Sequence, residues 1–270
     1  MKTCIAQINY YSDNIHAHVD RIKKIISDHR SCDLIVFPEL ILHGHPSLEK
    51  PEGLLYRKVK LVHSSVSRDL HNFVKDSKTR VIIGEVKCHG ERYYNVATYI
   101  DENGTQSYGK THVHWTENFL PGRELKVFDT PLGKIGITIC FDAAFPEVWR
   151  VLALKNANII VNIAAVPKTF PFEYMWRRMI GGAIFNQVFV VYVNRPSQFF
   201  SGHSAIFNPM GEKLVSLDEK EAVREVDIDL TVVKKWRKTE PVYPYRRSLL
   251  YREITQRRQK KSARNFTELM

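Results

Sequence analysis

Cysteine is scarce in this sequence, and the four cysteines lie far apart. Cys4, Cys32, Cys88 and Cys140 occur among 270 residues, and no two of them have the short spacing of metal-binding motifs. A chain of this length can bury enough apolar surface to fold without disulfides. We therefore expect reduced thiols and no disulfide framework.

Long apolar runs are also missing. The most apolar stretch, "NIIVNIAAVP", is too short and too polar to cross a bilayer. The opening "MKTCIAQINYY" lacks the apolar segment of a signal peptide. These features favour a soluble intracellular protein, which we expect in the cytoplasm and without a membrane partner.

The positive charge is distributed unevenly along the chain. Between Lys234 and Met270 there are 12 basic and 3 acidic residues, which give +9 of the total net charge of +11. This segment is predicted to be a solvated tail, a subunit contact or a positively charged binding site for an acidic partner. The sequence has no zinc-finger, helix-turn-helix or RNA-binding aromatic signature, so we expect no nucleic-acid partner.

Short β-branched segments alternate with helical patterns. In "DNIHAHVDRIKKIISDHR" an Asp-Asn pair can cap a helix that places Ile15, Val19, Ile22 and Ile26 along one stripe. Two more helices are predicted in "FPEVWRVLALKNA" and "FEYMWRRMIGGAIFNQ". The predicted strands are "CDLIVFPE", "TRVIIGEV", "YNVATYID", "GKIGITIC", "NIIVNIAAV" and "VFVVYVNR". The alternation predicts an α/β fold, with one domain over residues 1–251 and a basic tail over 252–270.

Cys140 comes at the end of an apolar strand pattern. Ile135, Ile137 and Ile139 alternate on one face, which puts Cys140 on the other face with the small Gly136. A free cysteine is often a buried core residue, so the strand pattern alone leaves a structural role and a nucleophilic role both open.

Three charged residues in apolar surroundings are further candidates. Glu39 follows the strand "LIVFPE", where α/β folds collect functional groups, although a solvated turn after Pro38 is the alternative. Lys110 and Glu117 lie in "YGKTHVHWTENFLPG", which is too aromatic for an ordinary exposed loop. Each of these two could also be a plain surface charge.

Together these segments resemble the nitrilase superfamily of carbon-nitrogen hydrolases. The three signatures of that family are a Glu after an apolar strand, a Lys before a loop that ends in Pro-Gly, and a Cys followed by an aromatic residue, Asp and "FPE". They appear here in the family's order at Glu39, Lys110 and Cys140. The resemblance covers roughly residues 3 to 251, and it implies a four-layer αββα sandwich and at least a homodimer, with contacts through "PEVWRVLALKNA" and Trp176–Asn186.

The resemblance also implies a reaction. Cys140 would attack an amide carbonyl, Glu39 would act as base and then as acid, and Lys110 with the backbone N–H of Phe141 would stabilise the oxyanion. Glu117 would help position the substrate and Lys110. This scheme requires neither a metal nor an organic cofactor.

Two departures from the family pattern bear on the substrate. Family members with nitrilase activity usually have Trp-Glu after the cysteine and a longer chain, so "CFD" favours an amidase or carbamoylase. Members that hydrolyse N-carbamoyl amino acids have an arginine where this chain has Ala143 and Ala144, which predicts a preference for neutral amides. The predicted substrate pocket consists of Trp115, Ala143, Ala144, Phe170 and Arg195, with Phe172 as a further apolar surface.

A small-molecule amide is therefore the expected substrate. One alternative is hydrolysis of N-carbamoyl amines, and another is a catalytically silent binding or scaffold protein that uses its basic tail.

The family's "Arg-Ala-x-Glu-Asn" helix reads "GAIFN" here, with Gly182 and Phe185 in place of Arg and Glu. We expect that helix to form nonetheless, because one Gly lowers helix propensity by only about 1 kcal/mol.

Overall fold

The strands follow the β-branched segments of the sequence. The computed structural model describes residues 1–11, 14–44, 63–90 and 92–256, and these form twelve strands and six α-helices. The strands are β1 (Lys2–Gln7), β2 (Leu34–Val36), β3 (Val81–His89), β4 (Arg92–Asp101), β5 (Gly104–Gly109), β6 (Val127–Thr130), β7 (Gly133–Ile139), β8 (Ile159–Ala164), β9 (Phe189–Asn194), β10 (Ala205–Phe207), β11 (Lys213–Ser216) and β12 (Ala222–Asp227). The helices are α1 (Ile15–Asp28), α2 (Arg68–Ser77), α3 (Pro146–Leu154), α4 (Phe172–Asn186), α5 (Thr231–Thr239) and α6 (Arg252–Thr255).

The strands pair into two six-stranded sheets built on the same plan. The first has the order β12-β1-β2-β3-β4-β5 and the second has the order β11-β10-β9-β8-β7-β6. In each sheet three central strands are parallel and the outer strands pair antiparallel. The four parallel pairs require crossover connections, and α1, α2, α3 and α4 each lie in one of them.

Three apolar clusters separate four layers. Side chains of both sheets, such as Ile5 and Ile137, meet in a central cluster. A second cluster joins the first sheet to α1 and α2, and a third joins the second sheet to α3 and α4. The result is the αββα sandwich that the resemblance implied.

The predicted helices are confirmed, and their caps explain where they begin. The Asn14 side chain accepts a hydrogen bond from Ala17 N at 3.1 Å, which caps α1, and Val19, Ile22 and Ile26 are buried on its inner side. Pro146 occupies the first turn of α3, where a missing N–H has no consequence.

The "GAIFN" segment lies within α4. A Cβ atom at Gly182 would come within 2.6 Å of the Trp149 ring of α3, so this glycine lets the two helices approach closely. The expectation that the helix forms despite its departure from the family pattern is confirmed.

The end of the chain is described only in part. Helix α6 and Gln256 belong to the predicted tail, and residues 257–270 lie outside the described residues. The domain boundary at residue 251 stays a prediction. Among the described residues, none of the helices combines the length and the apolar character that crossing a membrane would demand.

Candidate active site

Glu39 is placed by a close approach between two backbone segments. It follows β2, and the backbone of β3 at Gly84 packs directly against the Pro38–Leu40 backbone. Gly84 N donates a hydrogen bond to Pro38 O at 3.2 Å, and a Cβ atom at Gly84 would be only 2.4 Å from that oxygen. Leu40 turns the chain with φ +52°. The Glu39 side chain is therefore fixed in a fully buried position.

Lys110 follows β5 and is held by hydrogen bonds of its backbone. Its N–H donates to Asn95 O at 2.9 Å, and its carbonyl accepts from Gly122 N at 2.7 Å, so the loop that ends in Pro-Gly closes back onto it. The Lys110 Nζ atom is buried and lies 2.9 Å from Glu39 Oε1 and 2.7 Å from Glu117 Oε1. One ammonium thus joins two carboxylates that are 78 positions apart in the sequence.

Cys140 begins a tight turn and is not the last residue of the strand. Strand β7 ends at Ile139, and Cys140 has φ +45°, a left-handed conformation that disfavours residues other than glycine by about 1–2 kcal/mol. Regular strand geometry therefore ends one residue before Cys140, so the alternation of Ile135, Ile137 and Ile139 does not decide the direction of the Cys140 side chain. Strained conformations of this kind concentrate at functional sites.

Asp142 explains why the strand ends there. Its Oδ2 atom accepts a hydrogen bond from the Ile139 N–H at 3.0 Å, and this bond turns the chain away from the sheet. The same buried carboxylate accepts hydrogen bonds from His112 N at 2.8 Å, Thr111 Oγ1 at 2.9 Å and Tyr108 OH at 2.8 Å. Asp142 therefore connects the Cys140 turn to the segment that carries Lys110.

The charges of the site determine its protonation. Burial raises the pKa of the Cys140 thiol, the Glu39 carboxylate raises it further, and Lys110 acts in the opposite direction, so the resting thiol is neutral. For Lys110, burial opposes the charge, but the carboxylates of Glu39 and Glu117 outweigh burial and the pKa is raised. The site therefore holds a protonated thiol beside an ammonium ion that keeps its charge.

Glu39 has one engaged and one open oxygen. Its Oε1 atom accepts hydrogen bonds from Lys110 Nζ and from Asn95 Nδ2, the latter at 2.6 Å. Its Oε2 atom is buried and has no hydrogen-bond partner among the described residues. An oxygen in this state can accept a proton from a thiol or from water.

An aromatic cluster surrounds the turn after Cys140. The Phe141 ring contacts Trp115 edge-on at 5.6 Å and Phe145 at 5.3 Å, and His114 stacks on Trp115 at 3.8 Å between ring centroids. Trp115 is 74% exposed. The predicted pocket residue Trp115 thus lies beside the Cys140 turn with one face open to solvent.

The other predicted pocket residues lie in different surroundings. Ala143 and Ala144 line a groove between α3, α4 and the segment 246–255. Phe170 is partly exposed in the loop before α4. The Arg195 guanidinium is buried, donates a hydrogen bond to Asn9 Oδ1 at 3.0 Å and packs 4.7 Å from the Phe200 ring. Contact of these four residues with a substrate stays a prediction.

Sequence analysis missed three residues of this site. Asn95 donates a hydrogen bond to Glu39, and Asp142 shapes the Cys140 turn. The third residue is the buried Tyr192, whose pKa is raised by burial and by the charges of Cys140 and Glu39. Asp142 belonged to the quoted motif "CFD", whereas Asn95 and Tyr192 were only part of the predicted strands "YNVATYID" and "VFVVYVNR". Asn95 and Tyr192 are reached through strand pairing, for which the local sequence carries no signal.

Comparison with known proteins agrees with the fold and the motifs. The profile of the carbon-nitrogen hydrolase family matches residues 2–238. The probable nitrilase C965.09 of Schizosaccharomyces pombe is 30% identical over 252 residues, which cover 88% of each chain. A carbon-nitrogen hydrolase from Helicobacter pylori G27 superposes with a TM-score of 0.86 at 20% identity, covering 95% of this chain and 98% of that one.

A third similar protein carries a chemical observation of its own. A glutamate-to-glutamine variant of the amidase from Nesterenkonia sp. AN1, with a TM-score of 0.79 and 19% identity, covers 94% of this chain and 96% of that one. Its structure shows the acetamide moiety of fluoroacetamide covalently added at its active-site cysteine. The family profile spans nearly the whole chain studied here, and the nitrilase-superfamily resemblance is thereby confirmed. This chain belongs to the carbon-nitrogen hydrolase family, and it is an enzyme that hydrolyses carbon–nitrogen bonds other than peptide bonds.

Proposed function

We propose that this enzyme hydrolyses small linear amides through an acyl thioester on Cys140. The observation that carries the proposal is the group formed by the partly buried Cys140 and the buried Lys110 and Glu39, in which Glu39 keeps one oxygen without a hydrogen-bond partner among the described residues. A neutral thiol is a poor nucleophile, so it needs a base within the same site. Glu39 is the carboxylate available for that step.

The first half of the reaction forms the thioester. Glu39 Oε2 takes the thiol proton while the Cys140 sulfur bonds to the carbonyl carbon, and the carbonyl π electrons move onto the oxygen. The Lys110 ammonium and the Phe141 N–H stabilise that oxyanion. Glu39 then gives its proton to the amide nitrogen, the C–N bond breaks, and ammonia or an amine leaves.

The second half removes the acyl group. Glu39, again a carboxylate, takes a proton from water while the water oxygen attacks the thioester carbon. The tetrahedral intermediate collapses, the C–S bond breaks, and the sulfur recovers a proton from Glu39 as the carboxylic acid departs. One carboxylate thus acts as base and acid in turn, and the enzyme returns to its starting state.

The charge of the site favours neutral substrates. Two carboxylates, Glu39 and Glu117, share the Lys110 ammonium, so an additional substrate carboxylate would be repelled. Ala143 and Ala144 offer methyl groups and no guanidinium to pair with one. We expect kcat/KM for a neutral amide to exceed that for the matching N-carbamoyl α-amino acid by about tenfold, the equivalent of about 1.4 kcal/mol. A higher kcat/KM for the N-carbamoyl amino acid would contradict this preference.

We also infer that the chain forms a homodimer through the face of α3 and α4. This face and the adjoining segment 246–255 expose large apolar side chains, with Phe185 70% exposed and Leu249 79% exposed. Such an accumulation is typical of protein interfaces. A cytoplasmic location remains an expectation from the sequence.

A covalent trap tests the proposed mechanism. The intact protein is incubated with fluoroacetamide and measured by mass spectrometry, with peptide mapping of the modified residue. We expect one adduct on Cys140, no adduct in Cys140→Ala, and an unchanged adduct in the control Cys88→Ala, whose thiol lies at the far end of β3. Turnover of a panel of simple amides by Cys140→Ala at a tenth of the wild-type rate or more would overturn the mechanism.

A further inference from the structure

A second cluster of reactive side chains lies far from Cys140 in the fold, on the outer face of the first sheet. One ligand atom from each of Cys4, His29 and Cys32 lies within 4.8 Å of the others. The Glu225 carboxylate adjoins them, with Oε1 2.7 Å from His29 Nδ1. Its Oε2 atom is 2.8 Å from Lys2 Nζ. The hydrolytic scheme uses none of these residues.

The fold brings these residues together from three segments. Cys4 on β1 is directly opposite Glu225 on the antiparallel edge strand β12, so both side chains point to the same face of the sheet. His29 ends α1, and Cys32 N donates to His29 O at 2.9 Å, which folds the turn back over β1. Asp33 N donates to Lys2 O at 2.8 Å and fixes that turn to the strand.

The cluster is buried on one side and accessible on the other. Cys4 and Cys32 are buried, whereas the side chains of His29 and Glu225 are 25% and 30% exposed. An ion can therefore enter past the imidazole and the carboxylate and reach the two sulfurs. Two sulfurs and one imidazole are three of the four donors that a borderline-soft cation needs, and the adjoining Glu225 carboxylate can supply the fourth by turning from His29 toward the ion.

We propose that Cys4, His29, Cys32 and Glu225 bind a structural Zn²⁺ ion. In a tetrahedral zinc site with Zn–S bonds of about 2.3 Å, two sulfurs are about 3.8 Å apart, so the sulfurs of Cys4 and Cys32, which lie within 4.8 Å of each other, need to close by at most about 1 Å. Because four protein groups fill the coordination shell, no open position is left for substrate, which makes the site structural and not catalytic.

The charges around the cluster balance a zinc ion. Two thiolates and the Glu225 carboxylate exceed the charge of Zn²⁺ by one negative unit, and the Lys2 ammonium beside Glu225 compensates it. Binding releases the two thiol protons. The ion would tie together β1, the turn after α1 and the edge strand β12. The cysteines lack a metal-binding spacing in the sequence because helix α1 separates them and returns the chain to β1 at Cys32, while strand pairing adds Glu225.

Metal titration of the full-length protein tests the proposal. The reduced protein is stripped with a chelator and titrated with Co²⁺ as a spectroscopic probe, and zinc content after Zn²⁺ reconstitution is measured by elemental mass spectrometry. We expect one ion per chain and a thiolate-to-cobalt charge-transfer band in the wild type. Cys88→Ser and Cys140→Ser, which remove thiols outside the cluster, should retain both. Cys32→Ser and His29→Ala should lose the band and bind less than a tenth of an ion.

Stability provides a second measurement that does not depend on a variant folding well. Zn²⁺ should raise the Tm of the wild-type protein and of Cys88→Ser, because the ion binds only the folded chain. A wild-type protein without the charge-transfer band and without a Tm shift would overturn the proposal. So would equal metal binding by Cys32→Ser, or a Cys4–Cys32 disulfide mapped in protein purified without reductant. Amide hydrolysis by the stripped protein below its Tm should be unchanged, which keeps this test separate from the proposed catalytic mechanism.

Discussion

Replacement of Gly84 by Ala tests how strictly the fold positions Glu39. The new methyl group would lie 2.4 Å from Pro38 O and 2.6 Å from Glu39 Cα. Non-bonded atoms of this kind pack at about 3.5–4.0 Å, so the Glu39 backbone must retreat by about 1 Å. A displacement of about 1 Å in a catalytic group lowers rates by roughly 100-fold. We therefore expect Gly84→Ala to lower kcat/KM by about that factor.

The expected loss of stability in Gly84→Ala is small compared with the expected loss of activity. Overpacking at a buried site destabilises a protein by about 1–3 kcal/mol, which corresponds to a decrease in Tm of roughly 3–9 °C for a domain of this size. The protein should thus remain folded at 25 °C while most of its activity is lost. Circular dichroism and thermal unfolding establish the fold, and ammonia release from a simple amide gives kcat and KM.

A second glycine provides the matched control. At Gly181 in α4, an added Cβ atom would have its nearest neighbour at 3.7 Å, an ordinary contact, and alanine is the better helix former. Gly181→Ala should keep wild-type kcat/KM and equal or exceed the wild-type Tm. If Gly84→Ala retains more than half of the wild-type kcat/KM, backbone contact with β3 does not determine the position of Glu39.

Four further outcomes are expected. Lys110→Met should lower kcat by at least about 10²–10³-fold with the fold retained, as for loss of an oxyanion donor, and near-normal kcat would contradict its role. Asp142→Ala should destabilise the protein by several kcal/mol in urea unfolding, at about 1–3 kcal/mol for each buried donor left unpaired, and a change below about 1 kcal/mol would contradict the network. Burial lowers the pKa of His18 from 6.5 to about 4, so the unfolded chain binds the additional proton and stability should fall by up to about 3 kcal/mol as the pH drops from 6.5 to 4. His18→Gln should not show the part of this stability loss that comes from His18. If the variant and the wild type have the same stability profile between pH 6.5 and 4, the assignment to His18 is refuted. Deletion of residues 252–270 should leave hydrolysis intact if the tail is solvated, whereas loss of both dimer and activity would show that it is structural.

The sequence predicted what depends on local pattern. Alternating isoleucines marked β7, the apolar stripe marked α1, and ordered motifs marked Glu39, Lys110 and Cys140 as the chemical group. The strand end at Ile139 was not predictable from alternation, because a side chain two residues beyond Cys140 decides it. Residues that meet through strand pairing leave no local signal. Asn95 beside Glu39 and Cys4 opposite Glu225 are both of that kind.

The two sheets are assembled from different parts of the chain, and this difference predicts an order of folding. The second sheet uses one continuous stretch, from Val127 to Ser216, whereas β1 of the first sheet pairs with β12 more than 200 residues later. Pairings of such high contact order form slowly, because the entropy of closing a long loop is lost before any stabilising contact forms. During synthesis the edge of β1 stays unpaired until residue 227 has left the ribosome. We therefore expect the half that carries Cys140 to fold first and the half that carries Glu39 and Lys110 to be completed last, so that hydrolytic activity appears only with the final strand.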